Sequence, residues 1–320
     1  MEVQPKNSKI NGLIFRELIK RGYAVEEDIK VWNIADSKLW YLKPEQAQSY
    51  LDLLDSESYK SDYGPKEMTL IGENMGNIVQ KIGDGPFNLV DLGCGDGRKA
   101  VRFVESLSKK TKVRYYPIDI SAYMVEKAIE KISKLNVEEV VESRWNISDF
   151  ENLENITPLL TKGEFKKNLF LLLGNTLGNF DFHDLMYQVR SSMKDGDYLV
   201  IGNGLESESI KESVSKLAKN KYFDDFMIKI PQQIGLKEEN LIFDARFKNS
   251  RIEFFYELKE DKTIEYMEKK LELGKGDKIV IAVSYHYTKE EFTNFLKLYF
   301  DEVNLNTLED GSYTLALCKK

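Results

Sequence analysis

The chain has 320 residues, 42% hydrophobic and 31% charged, which is ordinary for globular protein and long enough for one large or two smaller domains. Its net charge of −7, with lysines interspersed among acids, argues against a broad nucleic-acid surface. Two cysteines, Cys94 and Cys318, and two histidines, His183 and His286, leave no basis for a disulfide framework, a C-x-x-C zinc site or a histidine metal site.

The first residues have no apolar h-region and no apolar run approaches a membrane span, so a cytoplasmic, reduced compartment and no membrane partner are expected. Ile10, Leu13, Ile14, Leu18 and Ile19 recur at helical spacing up to Gly22. Val31, Ile34, Leu39 and Leu42 suggest a second helix or pair of turns, with Trp32, Trp40 and Tyr41 in its core. Pro44 opens a third helix, Glu45–Leu54. Ser58–Pro65 reads as a loop, and a helix from Lys66 to Ile82 leads to the break Gly83-Asp84-Gly85-Pro86.

Phe87–Leu92 is an apolar run carrying one Asn and one Asp, the pattern of a strand buried on both faces. Gly93, Gly95 and Gly97 follow, then a helix from Lys99. Strand, glycine turn and helix let a backbone approach a ligand closely. The spacing D-x-G-x-G-x-G differs from both the dinucleotide fingerprint and the P-loop. It resembles motif I of the class I S-adenosylmethionine-dependent methyltransferases, in which the glycines face the methionine and ribose of the cofactor. Cys94 within the turn reads as packing.

Further strands are expected at Val113–Ile118, Val137–Val141, Leu169–Leu173 and Tyr198–Ile201. They alternate with helices at Ala122–Leu135, where Ser121 would be the N-cap, and at His183–Met193. This alternation is the mark of a doubly wound parallel sheet. Residues 207–219 and 223–234 then read as helices. Leu241–Phe247, Arg251–Leu258, Thr263–Leu273 and Lys278–Val283 read as antiparallel pairs. Thr288 caps a last helix, Lys289–Phe300, and Val303–Thr307 with Ser312–Leu317 flank a hairpin turn. The expected fold is α/β: a doubly wound, Rossmann-like class I methyltransferase sheet with a helical N-terminal region and an α+β insertion. The expected division is a substrate part at 1–62, a cofactor domain at 63–202 plus 286–320, and an inserted substrate part at 203–285.

Open α/β sheets bind ligands at the carboxyl ends of their strands. Asp119 stands at such an end and suits both hydroxyls of a ribose. Asp149 could accept from an adenine amino group, with Phe150 lying on the base. Gly174–Phe180, with its two amides and two glycines, would face the substrate near the transferred methyl.

Val90–Lys99, Tyr116–Ser121 and Leu171–Phe180 together resemble the histidine-specific Nα-methyltransferase family of ergothioneine biosynthesis. Arg251-Ile252-Glu253 and Ser284–Thr288 look like its later landmarks. The resemblance implies that Gly93, Lys99, Asp119, Asp149 and Phe150 contact S-adenosylmethionine and that Asn179 and Tyr63 face the acceptor; Gly95 of the same turn is expected at the cofactor and Ser284 at the acceptor. No catalytic residue is singled out. The family places a Glu two residues before its Ser; Ala282 stands there instead. The family's substrate tyrosine in the insertion has only Tyr222 as its nearest counterpart. The expected activity is S-adenosylmethionine-dependent N-methylation of an amino acid or related small molecule. Methylation of a protein or RNA, or cofactor binding without catalysis, are the alternatives.

Overall fold

The computed structural model describes residues 10–62, 64–142, 146–160 and 163–320. The chain divides into two compact units, Met1–Leu53 with Lys211–Ser284, and Leu54–Ile210 with Tyr285–Lys320.

The second unit is built on a seven-stranded sheet. Its strands are β1 (Phe87–Leu92), β2 (Val113–Ile118), β3 (Glu139–Val140), β4 (Lys167–Leu172), β5 (Tyr198–Gly204), β6 (Glu302–Thr307) and β7 (Tyr313–Lys319). The order across the sheet is β6-β7-β5-β4-β1-β2-β3. The first five strands are parallel, and β7 runs antiparallel between β5 and β6. From β1 the chain winds outward to β3 and then returns to β4 on the other side of β1. That reversal makes the carboxyl ends of β1 and β4 the natural crevice of the sheet.

Successive residues of a strand point to opposite faces. Leu89 joins a core with Ile71, Phe103 and Ala128, from helices Gly64–Ile82, Ala100–Leu107 and Ala122–Ile132. Val90 joins the opposite core with Leu153, Phe182 and Phe292, from helices Leu153–Leu160, Phe182–Ser192 and Lys289–Tyr299. Each Leu, Ile, Val or Phe side chain among them contributes about 1.5–3 kcal/mol when fully buried. The two polar residues of β1 are paired rather than solvated. Asn88 donates to Asn168 Oδ1 at 2.9 Å, and Asn168 in turn bonds Asp197. Asp91 accepts the Tyr115 hydroxyl at 2.7 Å.

The first unit carries a five-stranded sheet in the order Tyr23–Glu26, Ile29–Asn33, Lys278–Tyr285, Arg251–Leu258, Leu241–Lys248. The helix or turns expected through Val31–Leu42 are therefore a hairpin strand followed by one 3-10 turn, Ser37–Trp40. The hairpin turns at Glu27 and Asp28, both at positive φ, without the glycine that marks such turns in sequence. Trp32 and Trp40 are buried, and Trp40 Nε1 donates to the Ile281 carbonyl at 2.9 Å.

Ser58–Pro65 is not a loop. Its described residues fall in helices Glu57–Asp62 and Gly64–Ile82, with Pro65 in the first turn of the second, where its missing N–H costs nothing. The helix Leu153–Leu160 carries no expectation from the sequence; Pro158 lies inside it. Ser121 stands at the N-cap of Ala122–Ile132, but its side chain makes no capping bond.

Gly97 sits at φ +75°, and a Cβ there would stand 3.1 Å from Ala128 Cα. Gly97→Ala is expected to cost roughly 2 kcal/mol through this strain and crowding. A lowered urea midpoint would register it; an unchanged midpoint would contradict the close packing of turn and helix.

Candidate active site

The turn after β1 is shaped by backbone. Gly93, Gly95 and Gly97 all have positive φ. Gly93 N donates to the Ile118 carbonyl at 2.8 Å, which ties the turn to the end of β2. A Cβ on Gly93 would come within 3.2 Å of Thr176 Cγ2 and 3.7 Å of Phe150 Cζ. The turn, the ring after β3 and the turn after β4 thus meet at Gly93, where only a hydrogen fits comfortably. Phe150 in turn packs on Phe180, with centroids 5.3 Å apart.

Asp119 ends β2 and points into the glycine turn. Its Oδ2 accepts from Gly95 N at 3.1 Å and its Oδ1 from Ser121 N at 3.0 Å. Burial raises its pKa to about 6, although bonds from Ser121, Gly95 and Ile120 pull the other way. These backbone bonds do not use up the lone pairs of the carboxylate, which can still accept from further donors. Asp91 lies behind the turn, and burial raises it to about 7 against the bond from Tyr115. The flank of the turn is held by Asp96, which binds Arg98 Nε at 2.9 Å and Lys131 Nζ at 2.6 Å. Burial alone would raise the Asp96 pKa; the bonds from Arg98 and Lys131 outweigh it and leave the pKa lowered.

Lys99 follows the turn. Its Nζ lies 2.5 Å from the buried carboxylate of Glu67 and over Gly174 at the end of β4. Asp149 is half-buried, and its backbone carbonyl accepts from the Asn152 N–H. In the turn after β4 the two amides differ in use. Asn175 adopts the left-handed conformation, and its Oδ1 braces Gly204 N at 2.8 Å. Asn179 is half-buried at the end of the Thr176–Asn179 turn.

The model of the family described as histidine-specific, S-adenosylmethionine-dependent methyltransferases matches residues 58–320. The chain belongs to this family. It is an S-adenosylmethionine-dependent methyltransferase, with the doubly wound sheet of that class. No curated protein matches the sequence. Similar solved structures include an S-adenosylmethionine-dependent methyltransferase from Clostridium acetobutylicum, 13% identical over 85% of this chain and 98% of that one, TM-score 0.46. The PH0226 protein from Pyrococcus horikoshii is 14% identical over 86% and 99%, TM-score 0.43. The sugar N-methyltransferase KedS8 from a Streptoalloteichus species is 14% identical over 84% and 93%, TM-score 0.38.

The expected acceptor-side residues of this methyltransferase are scattered among its parts. Asn179 lies in the second unit, whereas Ser284 is the last residue of the first. Tyr63 lies outside the described residues. Ala282 is buried within the strand Lys278–Tyr285. Tyr222 is exposed near the start of helix Lys221–Met227. His286 is buried beside Gly204; burial lowers its pKa to about 4, so its imidazole is neutral at physiological pH. No described helix is long and apolar enough to cross a membrane.

Sequence reading missed Glu67 and Thr176. Glu67 sits among ordinary helix residues, and only its tertiary partners set it apart. Thr176 lay within a run already marked, but an amide draws attention sooner than a threonine.

The Asp91 titration gives a measurable sign. Its pKa is 3.8 as a free group and about 7 in the fold, so the folded state favours the protonated form. The burial penalty is absent below pH 3.8, grows up to about pH 7 and is constant above it. Asp91→Asn escapes that penalty while keeping an acceptor for Tyr115. Its melting temperature relative to wild type is therefore expected to be higher at pH 8 than at pH 5. An equal difference at both pH values would contradict a buried, titrating Asp91.

Proposed function

We propose that this methyltransferase methylates a nitrogen of an amino acid or a related small molecule, and that the glycine turn with Asp119 holds the cofactor. One observation carries the cofactor side: the Asp119 carboxylate is anchored into the turn by Gly95 N and Ser121 N, and the space a Cβ would take at Gly95 is open, with no atom within 4 Å. These residues fit an adenosyl group. A buried acceptor with spare lone pairs suits the two hydroxyls of a ribose, and the Phe150 ring suits the face of a base. Asp149 would accept from the base's amino group. Gly93 and Gly95 would admit the ligand close to the backbone, and Lys99 would offer a cation to a carboxylate at its methionine end. When bound, S-adenosylmethionine supplies an electrophilic methyl group.

This chain's own part is to orient the acceptor and exclude water. Asn179, Ser284 and Tyr63 are the residues we assign to the acceptor. All three are neutral, which suits a nucleophile that arrives as an uncharged amine. We assign the substrate side to residues 1–62 and 203–285, most of which fall in the unit that contains Ser284. Ala282 offers no charge where the resembled family places a carboxylate, which favours an acceptor whose side chain needs no ionic partner. We place the enzyme in the reducing cytoplasm, in keeping with its two buried free cysteines.

The test is transfer of a labelled methyl from S-adenosylmethionine to the free amino acids and to a cell extract divided by size. Label is expected in an amino acid or in the small-molecule fraction, and Asp119→Ala is expected to abolish most of it at limiting cofactor. Label confined to protein or RNA would overturn the acceptor reading. Cofactor binding without transfer to any fraction would reduce the protein to a binding module.

A further inference from the structure

Glu67 is a buried carboxylate that touches three separate parts of the rim where the cofactor is placed. It lies on helix Gly64–Ile82 and is 4% exposed. Its Oε2 pairs with Lys99 Nζ at 2.5 Å, at the exit of the glycine turn. Its Oε1 accepts from Gly174 N at 2.8 Å, immediately after β4. The same oxygen accepts from the Tyr313 hydroxyl at 2.8 Å, at the start of β7. Gly202 of β5 lies against it so closely that any Cβ there would collide with Oε1. Burial and the adjacent Glu67 carboxylate together push the Tyr313 hydroxyl well above its usual pKa, so it stays a donor.

A buried carboxylate with this set of donors is fixed in direction. The ammonium it pairs with is fixed in turn. Lys99 has a long, flexible stem, and the carboxylate narrows the arc its charge can sample. With Glu67 in place the ammonium stands over Gly174, just past the end of β4.

We propose that Glu67 is a positioning residue: it sets the Lys99 ammonium to receive the amino-acid end of the cofactor, and so selects for ligands that carry that end. The proposal rests on the reading above that the glycine turn and Asp119 hold the cofactor. It assigns Glu67 no direct contact with the ligand and no part in the chemistry.

The test is calorimetry with two ligands, S-adenosylhomocysteine and 5′-methylthioadenosine, the second lacking the amino-acid end. Glu67→Gln keeps acceptors for Gly174 N and Tyr313 but removes the charge facing Lys99. It is expected to weaken S-adenosylhomocysteine about tenfold while changing 5′-methylthioadenosine less than about twofold. Adding Lys99→Met to Glu67→Gln is expected to cost little beyond Lys99→Met alone, since the two act as a unit. If Glu67→Gln does not fold, Glu67→Asp takes its place, with the same selectivity and a smaller loss. Equal weakening of both ligands, or additive losses in the double variant, would make Glu67 merely structural and overturn the proposal; so would failure of both single variants to fold. If the unmodified protein bound neither ligand, the cofactor reading itself would fail, an outcome distinct from these.

Discussion

The proposed cofactor site depends on a carboxylate fastened to backbone rather than to side chains. Asp119 is buried at the end of β2, and its two oxygens accept from Gly95 N and Ser121 N. A group held in this way cannot follow a ligand; the ligand must come to it. The cost shows in the raised pKa of about 6, since burial penalises the charge more than the backbone bonds relieve it. Stability alone would favour a neutral group here. That the chain keeps an acid agrees with the general tendency of functional sites to hold perturbed carboxyls.

Around this acid the sheet supplies complementary walls. The parallel strands end together, and the reversal between β1 and β4 opens the crevice. Thr176 and Phe150 close on Gly93 from two directions. Glu67 reaches the same rim from a helix that precedes the first strand of the sheet, and links Lys99, Gly174 and Tyr313. The unit is thus braced at its carboxyl-end rim by ionic and hydrogen-bonded contacts. At the opposite ends of β1 and β4 it is braced by the Asn88–Asn168–Asp197 chain.

The sheet was legible because each of its longer strands is a short, nearly unbroken apolar run ending in a polar residue or glycine. Phe87–Leu92 and Val113–Ile118 coincide with the expected spans, while β4 and β5 begin or run on a few residues beyond them. What escaped was local structure fixed by tertiary partners. The strand Ile29–Asn33 has apolar residues whose spacing also suits a helix, and pairing with Lys278–Tyr285 decides between the two. Pro65 reads as a breaker in isolation and as a helix start in context. Within the site, Asp119 could be singled out because it ends a strand. Glu67 could not, because a glutamate on a helix is usually solvated and nothing in the neighbouring residues marks its burial. Asn175 and Asn179 look alike in sequence, yet the first is committed to bracing Gly204.

The most direct measurement is a crystal structure of the enzyme with S-adenosylhomocysteine. The account requires both ribose hydroxyls within hydrogen-bond distance of the Asp119 carboxylate and the base beside Phe150. A nucleoside bound elsewhere, or an Asp119 turned away from the ribose, would contradict it.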